Sequence, residues 1–109
     1  MNIYEYIIYM AKVQCIEKVI KHKDKIVIFY SSWCNYSINA MELARQIPNI
    51  DHRFYNIDSV PGNLETLCDI FKQKKELTNF NPNHTTRPLV FYKGKFIGAY
   101  NELKKQLNK

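Results

Sequence analysis

Of the three cysteines in the chain, Cys34 is the one placed for chemistry. It follows the apolar run Ile26-Val27-Ile28-Phe29-Tyr30 and precedes a stretch with helical spacing. A sulfur at a strand-to-helix junction faces unpaired backbone N–H groups and the positive end of the helix dipole. Both favour thiolate over thiol, and no acidic residue opens this helix to oppose them. The chemistry implied is that of a reactive, thiolate-prone cysteine. Ser37, three residues on, has no thiol, so the motif cannot run an internal dithiol cycle. Its hydroxyl suits either of two tasks, donating to the thiolate or capping a helix-terminal N–H. Cys15 and Cys68 fall inside helical apolar patterns and read as small buried residues.

A second signal lies downstream at Thr86-Arg87-Pro88, which opens an otherwise apolar strand. Proline is tolerated at a strand's first position, and a cis X-Pro bond there would turn the backbone toward the thiol. No zinc site is expected, because His22, His52 and His84 are widely separated and no cysteine pair has ligand spacing. Nor is any histidine placed by sequence to serve Cys34 as a base.

The elements that must position these residues follow from hydrophobic period. A helix is predicted from Tyr4 to Lys21, with Tyr9, Val13, Ile16 and Ile20 on one stripe. Residues 26–30 form a continuous β-branched run, as in a strand buried on both faces. Beyond Cys34, Ile38, Met41, Leu43, Ala44 and Ile47 mark a helix up to Pro48. A strand is predicted over 52–57, a turn over 58–63, and a helix over 64–75 whose buried face is Leu64, Leu67, Cys68 and Phe71. Residues 77–86 read as a loop. Strands at 88–92 and 95–97 flank Lys93-Gly94 as a hairpin, and a helix at 100–107 closes the chain. The class is α/β: a mixed four-stranded sheet with helices on both faces and a right-handed first crossover.

The 109 residues are 46% hydrophobic and 24% charged, which fits one globular domain spanning 1–109. The net charge of +6 is dispersed, without a basic run interleaved with aromatics, so no nucleic-acid partner is expected. Those charges read as solvated faces, or as a positive rim drawing in a small anion. An odd cysteine count speaks for a reducing compartment, and the cytoplasm is the expected location. The first ten residues are interrupted by Glu5 and lack a basic start, so they do not read as a signal peptide. Nothing approaches the roughly 18 apolar residues of a membrane span, so no membrane partner is expected.

Residues 26–40, centred on Trp33-Cys34-Asn35-Tyr36-Ser37, resemble the active-site segment of glutaredoxins, and most closely the monothiol class with W-C-x-Y-S. Residues 86–91 are similar to the family's T-V-P-x-V-F segment, and residues 94–103 to its G-x-x-I-G-G-x-x-D-L segment. Thioredoxins share the Trp and the Pro, but the spacing from Gly94 to Gly98 is that of glutaredoxins. The resemblance implies a thioredoxin-like three-layer fold and a glutathione-dependent oxidoreductase acting on glutathionylated proteins.

Cys34 would attack the glutathione sulfur of a mixed disulfide, with Tyr36 and Ser37 beside it. Arg87 would pair its backbone with the cysteinyl part of the tripeptide, helped by Pro88. Gly98, Ala99, Tyr100 and Asn101 would present a helix N-terminus to the γ-glutamyl carboxylate, and Glu102 would stand near the amino group. The chain departs from the family pattern at Ser31, where a Lys usually binds the glycyl carboxylate, at Ala99 for Gly and at Glu102 for Asp. Residues 76–85 also look longer than usual, and Lys72, Lys74 or Lys75 could replace the missing cation. The catalytic form would be a monomer. An alternative is a dimer bridging a [2Fe-2S] cluster, each chain giving Cys34 and one glutathione. A third reading, motivated by Ser31 and Ala99, is an adaptor without catalysis.

Overall fold

Ile26, Val27, Ile28 and Phe29 are all buried because their strand lies between two layers of helix. The computed structural model describes residues 2–108, with side chains at all of these except 8, 11 and 12. Met1 and Lys109, the ends of the expected 1–109 domain, lie outside the described residues.

In chain order the elements are α1 (Ile3–Ile20), β1 (Lys25–Tyr30), α2 (Asn35–Arg45), β2 (Asp51–Asn56), α3 (Asn63–Gln73), α4 (Lys75–Thr78), β3 (Leu89–Tyr92), β4 (Lys95–Gly98) and α5 (Tyr100–Leu107). The sheet order is β2-β1-β3-β4. β1 pairs parallel with β2 and antiparallel with β3, and β3 pairs antiparallel with β4. β1 and β3 are therefore the inner strands, and alternation along them fills both cores. Val27, Phe29, Leu89 and Phe91 meet Cys15, Val19, Leu67 and Phe71 from α1 and α3. Ile26, Ile28 and Val90 meet Ala40, Met41, Ala44 and Leu103 from α2 and α5. This is the expected three-layer α/β architecture.

The β3–β4 hairpin turns through Lys93 (φ 52°) and Gly94 (φ 85°), both left-handed. Two such residues give the twist a tight hairpin needs. α1 starts at an Asn2 cap, whose side chain accepts the Glu5 N–H at 2.8 Å. Its inward residues are Cys15 and Val19, whereas Tyr9, expected on the buried stripe, is 52% exposed. Apolar residues lie on more than one face of this helix, so spacing alone does not select the packed face. α2 stops at Arg45 rather than running to Pro48, with Asn49 in a left-handed turn behind it. The expected turn at 58–63 begins as a 3-10 turn over Ile57–Ser59. The expected loop at 77–86 overlaps α4, a single helical turn ended by left-handed Asn79. No helix among the described residues is long and apolar enough to cross a membrane.

Candidate active site

β1 delivers the chain to the top of the sheet, where Ser31 begins the turn into α2. Cys34 is the N-cap residue of α2, in extended conformation, and its side chain makes no capping bond. Its backbone is held on both sides: the Cys34 N–H donates to the Ser31 carbonyl at 3.1 Å, and its carbonyl accepts from Ile38 at 3.0 Å. The half-buried Cys34 thus has its backbone fixed in place, while its side chain is not engaged by its own helix. Trp33 and Tyr36 flank it, 65% and 60% exposed.

Ser37 is fully buried, and its hydroxyl accepts the backbone N–H of Ser31 at 3.1 Å. It caps the turn rather than a helix-terminal N–H. Fully buried, it is not among the residues that line the cleft, and its hydroxyl braces the turn that carries Cys34.

The second wall comes from the approach to β3. The Arg87–Pro88 bond is cis, one of the two forms that the sequence left open, and Pro88 is buried. The Arg87 Nε donates to the Ser31 Oγ at 2.7 Å, and the guanidinium lies 4.7 Å over the Trp33 ring. The sequence reading assigned only the backbone of Arg87, so this side-chain role is new. Upstream, the His84 Nε2 donates to the Thr86 carbonyl at 2.8 Å, steadying the loop.

The third wall is the start of α5. Gly98 is buried with φ +125°, and a Cβ there would lie 2.6 Å from the Glu102 Cγ. Only glycine allows the β4 end to pass so close beneath Glu102. Ala99 caps α5 without a side-chain bond, while its carbonyl accepts from Leu103 at 3.1 Å.

These three segments enclose a cleft of about 440 Å³. Cys34, Tyr36, Arg87, Ala99, Tyr100, Asn101 and Glu102 line it; Pro88 and Gly98, like Ser37, lie behind the wall. Trp33, Thr85 and Thr86 line it too, although the sequence reading did not place them in the site. Trp33 adjoins the cysteine in the quoted motif, which was the available signal. Lys72, Lys74 and Lys75, proposed stand-ins for a missing cation, are not on this wall. Lys72 faces an adjoining groove with Cys68, Asp69 and His84.

The other cysteines are set against reaction. Cys15 and Cys68 are 3% and 7% exposed. Burial pushes the Cys15 thiol up, against a smaller opposing effect of Lys18. Burial also raises Cys68, with Asp69 adding to it and Lys72 and Arg87 opposing. Among the described residues no three His, Cys, Asp or Glu stand where they could share a metal ion.

No family model matches the chain. A protein of Acanthamoeba polyphaga mimivirus, named as a probable glutaredoxin, is 39% identical over 82 residues, covering 75% of this chain and 76% of that one. The crystal structure of a buckwheat glutaredoxin–glutathione complex superposes with a TM-score of 0.68 at 19% identity, covering 95% of this chain and 84% of the other. The holo form of glutaredoxin C1 from the poplar Populus tremula x tremuloides gives 0.61 at 17% identity, covering 91% and 83%. The two solved structures establish the shared fold. Taken with the identity to the viral protein, they show that the chain belongs to the glutaredoxin family of thiol–disulfide oxidoreductases.

Proposed function

We propose that the chain reduces glutathione mixed disulfides through Cys34 alone. The observation that carries this reading is the pairing of a cleft-facing Cys34 with a Ser37 locked into a buried hydrogen bond. A glutathionylated protein would enter with its disulfide at Cys34. The Cys34 thiolate attacks the glutathione sulfur, the disulfide bond between that sulfur and the protein's cysteine sulfur breaks, and the protein thiolate leaves and takes a proton. Cys34 is then disulfide-bonded to glutathione. With no thiol at position 37, a second glutathione thiolate attacks the bound glutathione sulfur, releasing the Cys34 thiolate and oxidised glutathione.

The remaining walls suit a peptide of this kind. The α5 N-terminus at Ala99, Tyr100 and Asn101 offers N–H groups to the γ-glutamyl carboxylate, and Glu102 offers a carboxylate to the neighbouring ammonium. Tyr36 flanks the chain between them. The buckwheat relative was crystallised with glutathione, which supports the ligand class. A working free thiol suits a reducing compartment such as the cytoplasm.

The test is glutathione-dependent reduction of a glutathionylated peptide. Wild type and Cys15→Ala/Cys68→Ala should turn over alike, and Cys34→Ser should be inactive. Activity surviving in Cys34→Ser would remove the proposal.

A second reading rests on the same open sulfur, which no neighbouring thiol can close over. Each of two copies would give its Cys34 and one glutathione thiolate to a shared [2Fe-2S] cluster. Soft thiolate donors suit such a cluster, and among the described residues of one chain no three His, Cys, Asp or Glu stand together to hold it. Anaerobic reconstitution with iron, sulfide and glutathione should then give a coloured dimer; a colourless monomer would count against it.

A further inference from the structure

We infer that the Arg87 side chain, aimed by Ser31 and Trp33, binds the glycyl carboxylate of glutathione and so determines substrate specificity. This rests on the glutathione reading above and extends it to a residue whose side chain that reading leaves unused.

Among the described residues, Arg87 is the one cation on the cleft wall and Glu102 the one anion. They come from different walls, the approach to β3 and the start of α5. Glutathione carries two carboxylates at opposite ends. The one beside the ammonium falls to α5 and Glu102, and the other needs a cation at the far side. Glu102 would repel a second carboxylate at its own end, so the remaining place is Arg87.

The geometry prepares Arg87 for this. Its Nε is engaged by Ser31, which leaves the Nη hydrogens free in the fork arrangement that receives a carboxylate. No acidic side chain among the described residues pairs with it. The Trp33 face holds the guanidinium plane, and Ser31 is itself immobilised, being fully buried and bonded through its N–H to Ser37. A cation held this way loses little freedom when a ligand arrives. Ser31 is thus a positioning residue, working through Arg87.

The experiment compares two mixed disulfides of one peptide, carrying either glutathione or its glycyl monoethyl ester, on wild type, Arg87→Gln, Arg87→Lys and Ser31→Ala. For wild type, esterification should lower kcat/KM by about tenfold or more, the scale of a charge-assisted hydrogen-bonded pair. Arg87→Gln should treat both substrates alike, at the level of wild type on the ester. Arg87→Lys should recover part of the discrimination. Ser31→Ala should raise KM for the free acid with kcat nearly unchanged, and move KM for the ester little. Wild type that turns over both substrates equally would overturn this inference while leaving the glutathione reading standing. Full discrimination in Arg87→Gln would overturn it too. Wild type inert on both substrates would overturn the glutathione reading and this inference together. The comparison on wild type needs no variant to fold.

Discussion

Ser37 and Ser31 are joined inside the turn that carries Cys34, the hydroxyl of one accepting the backbone N–H of the other at 3.1 Å with both residues fully buried. The side chain three residues past the reactive cysteine is therefore a brace for the turn. Ser37→Ala leaves a buried N–H unpaired, which should cost about 1–3 kcal/mol of stability. Urea unfolding checks this: the midpoint should fall with its slope unchanged.

The three thiols should separate cleanly by accessibility. Brief treatment of the native protein with iodoacetamide near neutral pH should give one adduct, at Cys34. Cys15 and Cys68, nearly inaccessible and held protonated by burial, should react only after denaturation. Peptide mapping by mass spectrometry reads the outcome, and early modification of Cys68 would contradict the packing described.

Raised thiol pKa values also predict how stability depends on pH. In the fold, Cys15 and Cys68 keep their protons above the ordinary cysteine value of 9.0. The unfolded chain ionises first, so it binds fewer protons there and is favoured as pH rises. This contribution is intact below that value and is lost as pH climbs through the folded values. Urea midpoints should therefore fall on going from about pH 8 to about pH 10, and the fall should be shallower in Cys15→Ala/Cys68→Ala.

Gly98→Ala tests the third wall. The new methyl would sit 2.6 Å from the Glu102 Cγ, on a backbone with φ +125°. The variant should lose about 1–3 kcal/mol, the scale of a strained non-glycine backbone. Because Glu102 must move off the cleft, KM for a glutathione mixed disulfide should rise more than kcat falls. Steady-state kinetics beside thermal unfolding separates the two effects.

Much of this architecture was legible because patterns were strong where burial is strong. The run at 26–29 must be covered on both faces, and its period against the helices on either side gives the layers. Spacing failed where it carried no contrast. α1 carries apolar residues on more than one face, between Glu5, Gln14, Glu17 and Lys18, so the choice of Cys15 and Val19 over Tyr9 is made by contacts with α3 and the sheet. α4 is one turn long and too short to show a period.

At the site, cysteine, helix start and proline could be read locally, but the Arg87–Ser31 bond spans 56 residues and exists only once β1 and β3 lie side by side. Ser31 looked like the loss of a cation. Its hydroxyl instead aims one, which weakens the motive for an inactive adaptor.

Trp33 is the chain's single tryptophan, and it stands at the mouth of the cleft with a guanidinium against its ring. Indole emission from this protein therefore originates wholly at the site. Any ligand that draws Arg87 away, or shields the ring from solvent, alters the light emitted by that one fluorophore. Arrival and departure at Cys34 can thus be followed in unlabelled protein.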